Sequence, residues 1–283
     1  MANSQVTIAE ALKLSSSLQA VSDSPRLDAD VLLAHVLEKS RSYLYTWPER
    51  LLSVEDKRLF ESLLERRKLG QPIAYLVGTR EFWSLTLEVN AHTLIPRPET
   101  ELLVETALQL IDKPNARVLD LGTGTGAIAL ALASERPSWE ILAVDIVVEA
   151  VQLAEKNRRH LGFDNVTIIQ SDWFEQVSDQ VFDLIVANPP YIGCNDVHLA
   201  QGDVRFEPAS ALVAEADGLA GIKIIIGAAS EYLSSGGWLV LEHGFQQGGA
   251  VRGLLDSVGY IQLSTQVDRG GQERVSVACR GQL

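Results

Sequence analysis

The chain has 283 residues, 46% of them hydrophobic and 22% charged, and its 24 Lys and Arg against 37 Asp and Glu give a formal net charge of -13. This length allows one large domain and a small one, and the acidic balance argues against a broad cationic face for nucleic acid. Two distant cysteines and no apolar run of roughly 20 residues predict a cytoplasmic protein without disulfides, signal peptide or membrane span.

The N-terminal seventy or so residues have apolar positions at helical spacing and two recognisable helix starts. Ser24 precedes a proline that would occupy the first helical position, and Ser53 with Asp56 resembles a capping box. The helix that follows Ser53 should stop at Gly70, before Pro72. We predict a small helical bundle over residues 1–74.

The pattern changes to period two between about Tyr75 and Asn90. Residues 82–89 alternate between two faces, which is typical of a half-exposed strand. We therefore predict a short β linker over residues 75–92. A rigid double-proline turn at 94–100 then leads into a helix through Leu110.

Strand and helix patterns alternate from Arg117 to the end of the chain. This alternation predicts a parallel sheet with helices on both faces, in a domain of residues 93–283. The predicted strands are Val118–Leu121, Ile141–Asp145, Val166–Ile169, Phe182–Ala187, Trp238–Glu242 and Glu273–Ala278.

A glycine-rich loop lies where the first of these strands passes into a helix. Ligands of open α/β sheets bind at such turns, and glycines let them approach the backbone closely. Asp145, at the end of the next strand, would accept hydrogen bonds from ribose hydroxyls. The loop indicates a nucleoside-containing cofactor, either S-adenosylmethionine or, because the dinucleotide fingerprint also fits, a nicotinamide cofactor. The loop residues are Gly122, Thr123, Gly124, Thr125 and Gly126.

A second motif, Asn188-Pro189-Pro190-Tyr191, follows the strand that ends at Ala187. Its prolines lack backbone donors, so their carbonyls are left as acceptors. A planar NH2 group needs two acceptors, and our candidates are the Asn188 side-chain oxygen and the Pro189 carbonyl. Tyr191 would stack against the acceptor plane. We predict Asn188, Pro189 and Tyr191 as the catalytic residues.

The chemistry of amide methylation explains such a clamp. An amide nitrogen shares its lone pair with the carbonyl and is a poor nucleophile. S-adenosylmethionine carries a strongly activated methyl group, so alignment is the main task, and neither a metal nor a covalent enzyme intermediate is required.

Three other functions stand as alternatives to this one. A methyltransferase of nucleic-acid amino groups would also have to bind a planar NH2 group, but the acidic net charge of the chain argues against a nucleic-acid substrate. A nicotinamide oxidoreductase leaves the motif unexplained, and a non-catalytic adaptor would bind without turnover.

At these residues the chain resembles the PrmC/HemK family, the glutamine methyltransferases of class I peptide chain release factors. The resemblance implies a seven-stranded, Rossmann-like class I methyltransferase sheet with one antiparallel strand, a small N-terminal helical domain and a β-hairpin linker. It runs through Arg80–Trp83, Leu94–Glu101, Val118–Ala133, Ser171–Phe174, Asn188–Ile192 and Gln201–Pro208.

The resemblance also implies the ligands and their contacts. The cofactor would be S-adenosylmethionine, the product S-adenosylhomocysteine, and the acceptor the glutamine of a Gly-Gly-Gln motif in a release factor. Cofactor contacts would come from Gly122 to Gly126, Asp145 and Asn188, and from Trp173 near the adenine with Asp172 beside its amine. The substrate glutamine would lie against Asn188, Pro189, Pro190 and Tyr191.

Several residues keep two interpretations. Trp173 could be an ordinary core residue, since tryptophan is commonly buried. Arg97 and Glu99 either shape the substrate pocket or orient the helix that follows them. For Arg205 and Glu207 a surface ion pair is the simpler expectation, with a lid as the alternative.

Overall fold

The computed structural model describes residues 6–177, 180–200 and 202–281, and it divides the chain into two compact units. The first, here called the helical unit, contains the chain up to Thr79 together with His198–Phe206. The second, the sheet unit, contains Arg80–Val197 and the chain from Glu207 onward. None of the helices in these described ranges combines the length and apolar character that a membrane crossing requires.

The helical unit forms around one apolar cluster that includes Leu32, Leu33 and Phe60, all fully buried. Both predicted helix starts are confirmed: Pro25 is the first residue of its helix, and the Ser53 hydroxyl accepts a hydrogen bond from the Asp56 backbone at 3.0 Å. The helices are α1 (Ile8–Leu12), α2 (Pro25–Leu37), α3 (Arg41–Thr46), α4 (Val54–Lys68) and α5 (Ile73–Val77), with a 3-10 helix at Lys13–Leu18.

A buried arginine joins the 198–206 segment to the rest of the helical unit. The Arg67 guanidinium contacts Asp28 at 2.8 Å and Asp203 at 2.9 Å, and it donates to the Gln71 carbonyl at 3.0 Å. Arg67 and Asp28 are both buried, so removing either one leaves an uncompensated charge and costs about 3–5 kcal/mol. The Asp203 side chain is 40% exposed, so its ion pair with Arg67 contributes less, but it attaches the segment to the buried arginine.

The sheet unit is built on seven strands, whose spatial order is β10-β11-β9-β6-β3-β4-β5. Strand β11 runs antiparallel to its neighbours β10 and β9. The remaining neighbours, β9 with β6, β6 with β3, β3 with β4 and β4 with β5, are parallel pairs. The predicted seven-stranded sheet with one antiparallel strand is confirmed. The strands of the chain are β1 (Thr79–Phe82), β2 (Leu85–Glu88), β3 (Arg117–Leu121), β4 (Glu140–Asp145), β5 (Val166–Gln170), β6 (Phe182–Ala187), β7 (Ile192–Gly193), β8 (Val213–Ala214), β9 (Leu233–Glu242), β10 (Ile261–Val267) and β11 (Glu273–Cys279).

Helices cover both faces of this sheet, as predicted. Successive residues of a strand point to opposite faces, and β6 accordingly gives Leu184 to one apolar cluster and Ile185 to the other. The helices are α6 (Glu101–Leu110), α7 (Ala127–Glu135), α8 (Val148–Leu161), α9 (Ala209–Leu212), α10 (Glu215–Gly218), α11 (Ala220–Tyr232) and α12 (Gly248–Ser257), with a 3-10 helix at Pro98–Thr100. The 198–206 segment of the helical unit contains the 3-10 helix Val204–Phe206 and, from His198 onward, the 3-10 helix Val197–Ala200.

The linker is a hairpin, as the family resemblance implied, and not the single strand predicted over residues 82–89. Strands β1 and β2 pair through a two-residue turn at Trp83 and Ser84, which have φ of 52° and 60°. Two positive φ angles in a two-residue hairpin turn normally call for Asn-Gly or a similar pair. Trp-Ser is not such a pair, so nothing in the sequence indicated a turn, and the alternating pattern on both sides of it was interpreted as one strand.

The register of the parallel strands brings four chain segments to one edge of the sheet. Leu121 of β3 pairs with Val144 of β4 and with Ala187 of β6, and Ala187 pairs in turn with Leu241 of β9. The residues that follow these positions therefore lie side by side at the carboxyl edge, where ligands of open α/β sheets bind.

Candidate functional site

The glycine loop is held by backbone hydrogen bonds to the neighbouring strand. The backbone N–H groups of Gly122 and Thr123 both donate to the Val144 carbonyl at 2.9 Å, and Gly126 donates to the Thr123 carbonyl at 2.8 Å. Gly122, Gly124 and Gly126 have φ of 73°, 56° and 85°, in the left-handed region. A side chain at Gly124 would meet no other atom within 4 Å, so glycine is required there by the backbone conformation and leaves open space in front of the loop.

Asp145 supports the same loop with its carboxylate. One oxygen accepts from the Gly124 backbone at 2.9 Å, and the other accepts from Val147 at 2.9 Å. Burial raises the pKa of Asp145 above its usual value, and the backbone hydrogen bonds oppose that rise. Each carboxylate oxygen has a second lone pair, so the group retains the capacity to accept from a bound hydroxyl.

Asp120 lies beneath the loop, and the sequence motif did not reveal its environment. It is fully buried, and the Thr123 hydroxyl donates to one of its oxygens at 2.6 Å. Its other oxygen, Oδ1, has no partner among the described residues. Burial raises the pKa of Asp120 to about 7, with the Thr123 hydrogen bond opposing and the Asp145 charge adding to the rise.

Asn157 is a second supporting residue that sequence reasoning missed. It lies on α8, is 1% exposed, and its side-chain N–H groups donate to the Thr125 carbonyl at 2.9 Å and the Glu88 carbonyl at 3.0 Å. The side-chain oxygen accepts from the Glu88 backbone at 2.8 Å. One amide therefore ties the glycine loop to the hairpin, across 32 and 69 positions of the sequence.

A cavity of about 270 Å³ opens at this edge of the sheet unit. It lies close to the lower end of the usual range for cofactor sites, about 300–1,000 Å³. Among the residues predicted for the site, it is lined by Gly122, Thr123, Gly124, Thr125, Asp145, Asp172, Trp173, Asn188 and Pro190. The lining of this cavity does not include Gly126, Pro189, Tyr191, Arg97 or Glu99.

Trp173 belongs both to the cavity and to the core. Its backbone has a φ of 46°, and its ring lies 3.8 Å from the point where a Cβ on Gly122 would stand. The same ring lies 3.3 Å from the corresponding point on Gly221 of α11. The half-buried ring thus packs on the sheet and also borders the cavity, so the core and adenine interpretations are compatible. Its neighbour Asp172 is exposed.

The second motif is held by side chains from other parts of the sheet unit. Asn188 donates from Nδ2 to the hydroxyl of Thr100 at 3.2 Å, and Pro189 is buried. The Tyr191 hydroxyl donates to Glu242 at 3.3 Å, and the Tyr191 carbonyl accepts from Gln247 at 3.0 Å. Burial raises the pKa of Tyr191, so its hydroxyl keeps its proton at neutral pH.

Glu242, at the end of β9, is a further residue that the sequence interpretation left without a role. It is 1% exposed and accepts a hydrogen bond from the Tyr191 hydroxyl at 3.3 Å, and the neighbouring Thr100 hydroxyl also lowers its pKa. Its second oxygen, Oε2, has no partner among the described residues. Burial raises the pKa of Glu242 to about 7, against the two hydroxyls and Arg274. The signal in the sequence was the one used for Asp145, an acid that ends a buried strand.

Arg97 and Glu207 form an ion pair, and the Glu207 carboxylate also accepts from the Ile95 backbone at 3.1 Å. The surface pair predicted for Arg205 and Glu207 is wrong, because the Glu207 side chain is fully buried. In the helical unit, the Arg205 guanidinium instead stacks over the ring of Phe206 at 5.0 Å. Glu99 is exposed.

Comparison with known proteins identifies the family. Residues 10–78 match the PrmC N-terminal domain, and residues 112–244 match a methyltransferase domain. The chain is 54% identical over 274 residues to the release factor glutamine methyltransferase of Shewanella oneidensis, covering 96% of each chain. The Escherichia coli protein of the same name is 53% identical over 262 residues, covering 93% of this chain and 94% of its own length. The chain belongs to the release factor glutamine methyltransferase family.

The family predicted from the sequence is therefore confirmed, and solved structures extend the agreement to the fold. A methyltransferase from Pyrococcus furiosus matches with a TM-score of 0.53 and 18% identity, over 70% of this chain and 89% of that one. A ribosomal protein L11 methylase from Lactobacillus delbrueckii subsp. bulgaricus matches with a TM-score of 0.50 and 20% identity, over 67% and 82%. These likenesses concern the fold. Membership of the release factor glutamine methyltransferase family indicates S-adenosylmethionine as the methyl donor.

Proposed function

We propose that this protein transfers a methyl group from S-adenosylmethionine to the side-chain nitrogen (N5) of the glutamine in the Gly-Gly-Gln motif of class I peptide chain release factors, and so modulates translation termination. One observation carries the proposal: Asn188 lines the same cavity as Gly122–Thr125 and Asp145. Methyl transfer needs the residue that binds the substrate amide and the residues that bind the nucleoside of the cofactor to face the same cavity. The reason is that the rate depends on holding the reacting atoms in line.

The residues around the cavity fit the proposed cofactor. The open space before Gly124 accommodates a ligand close to the backbone, and the Asp145 carboxylate has capacity for ribose hydroxyls. The half-buried Trp173 ring offers an apolar surface for adenine, with Asp172 beside it in the cavity lining. Asp120 adds a buried oxygen that has no protein partner among the described residues. S-adenosylhomocysteine, the proposed product, keeps the nucleoside that these residues would hold.

The clamp residues would prepare the glutamine for attack. S-adenosylmethionine supplies a methyl group activated by a positively charged sulfur. Asn188 Oδ1 and the Pro189 carbonyl would each accept one hydrogen of the amide NH2 and orient its lone pair. The amide nitrogen would take the methyl group of bound S-adenosylmethionine, so that the nitrogen–carbon bond would form as the carbon–sulfur bond breaks and one amide proton would pass to solvent. The products are N5-methylglutamine and S-adenosylhomocysteine.

The helical unit would contribute part of the substrate-protein surface. Several of its large apolar side chains are exposed, including Tyr45, Trp47 and Leu69 at 56%, 50% and 74%. We expect Trp47→Ala combined with Leu69→Ala to raise KM for intact release factor about tenfold, with turnover of a short Gly-Gly-Gln peptide unchanged. Exposed aromatic and aliphatic side chains of this kind often anchor partner proteins. Equal KM values for intact release factor in the wild-type enzyme and the double variant would contradict this role.

The proposed function is tested by transfer of a labelled methyl group to purified, unmethylated release factor, followed by peptide mapping. The matched control is the same release factor with Asn in place of the motif Gln, which keeps the amide but shortens the side chain. Label on the motif Gln, absent from the control, is the expected result. Absence of label on release factor, with S-adenosylmethionine still bound, would refute the proposal and direct the search to nucleic acid or another protein.

A further inference from the structure

The proposed chemistry depends on which way the Asn188 side-chain amide faces. Its oxygen accepts hydrogen bonds and its nitrogen donates them, yet the two ends are nearly equal in size. If the amide were turned over, the NH2 of Asn188 would face the NH2 of the substrate. Two hydrogen-bond donors would then oppose each other, and they would repel. Some feature of the protein has to hold the amide in one orientation.

The hydroxyl of Thr100 supplies that constraint. Thr100 is 4% exposed, and its hydroxyl lies beside the Glu242 carboxylate and lowers the pKa of that group, as a hydroxyl donor does. A hydroxyl has a single proton, so Thr100 can only accept from its other neighbour. That neighbour is Asn188, whose Nδ2 lies 3.2 Å from the Thr100 oxygen. With Nδ2 committed to Thr100, Oδ1 of Asn188 remains as the acceptor toward the cavity that this residue lines.

Glu242 also reaches the other end of the motif. The Tyr191 hydroxyl donates to Oε1 of Glu242 at 3.3 Å, and burial keeps that hydroxyl protonated. The sheet register explains the convergence, because Ala187 of β6 pairs with Leu241 of β9. Asn188 and Glu242 are thus the next residues on neighbouring parallel strands. One carboxylate is joined to both Asn188, through Thr100, and Tyr191.

We propose that Glu242 is a positioning residue of the methyl transfer, and that its carboxylate, through Thr100, sets the orientation of the Asn188 amide and, through Tyr191, holds the other end of the motif. This inference rests on the proposed function. Stability does not account for the residue, since a fully buried carboxylate with one unpartnered oxygen is costly to bury. Its two hydroxyl donors belong to, or contact, the amide motif.

The first test compares Glu242→Ala with Glu242→Gln in the full-length enzyme. A glutamine oxygen can accept from both hydroxyls, whereas alanine accepts from neither. We expect Glu242→Ala to lower kcat about 100-fold, as small displacements of reacting groups do, with KM and the Kd for S-adenosylmethionine within about threefold. Glu242→Gln should restore kcat to within about fivefold of the wild type. Equal kcat values for the Ala and wild-type enzymes would overturn the proposal, as would a Gln variant as slow as Ala.

The second test measures recognition of the acceptor and does not depend on the Ala variant folding. Thr100→Val removes only the hydroxyl that links Asn188 to Glu242 and preserves the shape. The competing ligand is release factor with Glu in place of the motif Gln, whose ionised carboxylate has no hydrogens for the clamp. Wild-type enzyme should bind the Gln form more tightly than the Glu form. In Thr100→Val that preference should fall about tenfold, because the Asn188 amide can then turn and present its donor. An unchanged preference would overturn the proposal.

A double variant completes the assignment. If Thr100 and Glu242 act as one relay, Thr100→Val combined with Glu242→Ala should lose no more kcat than the larger single loss, whereas independent roles would multiply. Multiplying losses would contradict the relay. Failure of the proposed function is distinguishable from all of these results, because wild-type enzyme would then fail to methylate release factor at all.

Discussion

The two loops at the carboxyl edge of the sheet are built in different ways. The glycine loop, residues 122–126, is held largely by its own backbone and by the ends of adjacent strands, as in the bonds from Gly122 and Thr123 to Val144. The amide motif, residues 188–191, is held by side chains from Thr100, Glu242 and Gln247. A loop of the first kind carries its geometry in a short stretch of sequence. A loop of the second kind depends on long-range folding, so its precision can be lost by changes far away in the chain.

The largest effect should come from the amide motif itself. We expect Asn188→Ala to lower kcat/KM about 1,000-fold, because one of the two acceptors for the substrate NH2 is lost. Cofactor binding should stay partly intact, with the Kd for S-adenosylmethionine rising no more than about tenfold, since Asn188 is one of several residues around the cavity and the glycine loop does not depend on its side chain. Steady-state kinetics and calorimetry measure the two quantities. Cys194→Ala, an exposed change in the same segment, is the control and should behave as wild type. Turnover of the Asn188 variant within tenfold of wild type would remove the distinction between the loops.

The reciprocal change in the glycine loop should affect cofactor binding. Gly124→Ala places a Cβ on a backbone with φ of 56°, facing the open space in front of the loop. We expect the Kd for S-adenosylmethionine to rise about 30-fold, with kcat at saturating cofactor within about threefold. Gly162→Ala is the matched control, because it has a φ of 75° and equal space but caps α8. That control should lose stability without losing affinity; equal losses of affinity in both variants would refute the local role of Gly124.

Asn157 is a side chain from a distant part of the sequence that supports the glycine loop. Asn157→Asp replaces the donor to the Thr125 and Glu88 carbonyls by an acceptor, so buried groups lose their partners. We expect the free energy of unfolding in urea to fall by about 2 kcal/mol and the cofactor Kd to rise about fivefold. Asn165→Asp breaks comparable bonds to the Arg136 and Trp139 carbonyls and should lower stability alone. Unchanged cofactor affinity in the Asn157 variant would show that the loop needs no support from α8.

The smallest expected effect concerns the carboxylate beneath the glycine loop. Burial raises the pKa of Asp120 from 3.8 to about 7, so the folded state binds its proton more tightly than the unfolded state does. Stability from this group is therefore greatest at low pH and is lost as pH rises toward 7. Between pH 6 and pH 7, wild type should lose about 1 kcal/mol more unfolding free energy than Asp120→Asn, measured in urea at each pH. Parallel pH profiles would show that the pKa of Asp120 is not raised.

Prediction from the sequence succeeded where the determinants are local. The glycine loop, Asp145 and the start of each motif follow directly from strands that end in characteristic residues, and five of the six predicted strands lie within one residue of their observed starts. Strand β9 began earlier than predicted because residues 233–237 include the polar and glycine positions that usually indicate a turn. Strand β10 was not identified at all, because its apolar ends Ile261 and Val267 are 46% and 53% exposed and leave no clear buried face.

The supporting residues of the site could not be predicted for a different reason. Thr100 lies 88 positions from Asn188, and Glu242 lies 51 positions from Tyr191, so their contacts exist only once the strand order and register are fixed. A single sequence specifies that an acid ends β9 but not which loop it supports. The attachment of residues 198–206 to the helical unit is similar, since it depends on an ion pair between Arg67 and Asp203 that spans 136 positions.

That attachment has a consequence for how such a protein can be taken apart. The chain passes from one unit to the other at three places, after Thr79, after Val197 and after Phe206. A single cut at the first junction would leave Arg67 on one fragment and Asp203 on the other. The helical unit is therefore not a module that recombination at one junction can exchange intact. A replacement taken from another protein would also have to supply a cation able to receive the acid at position 203.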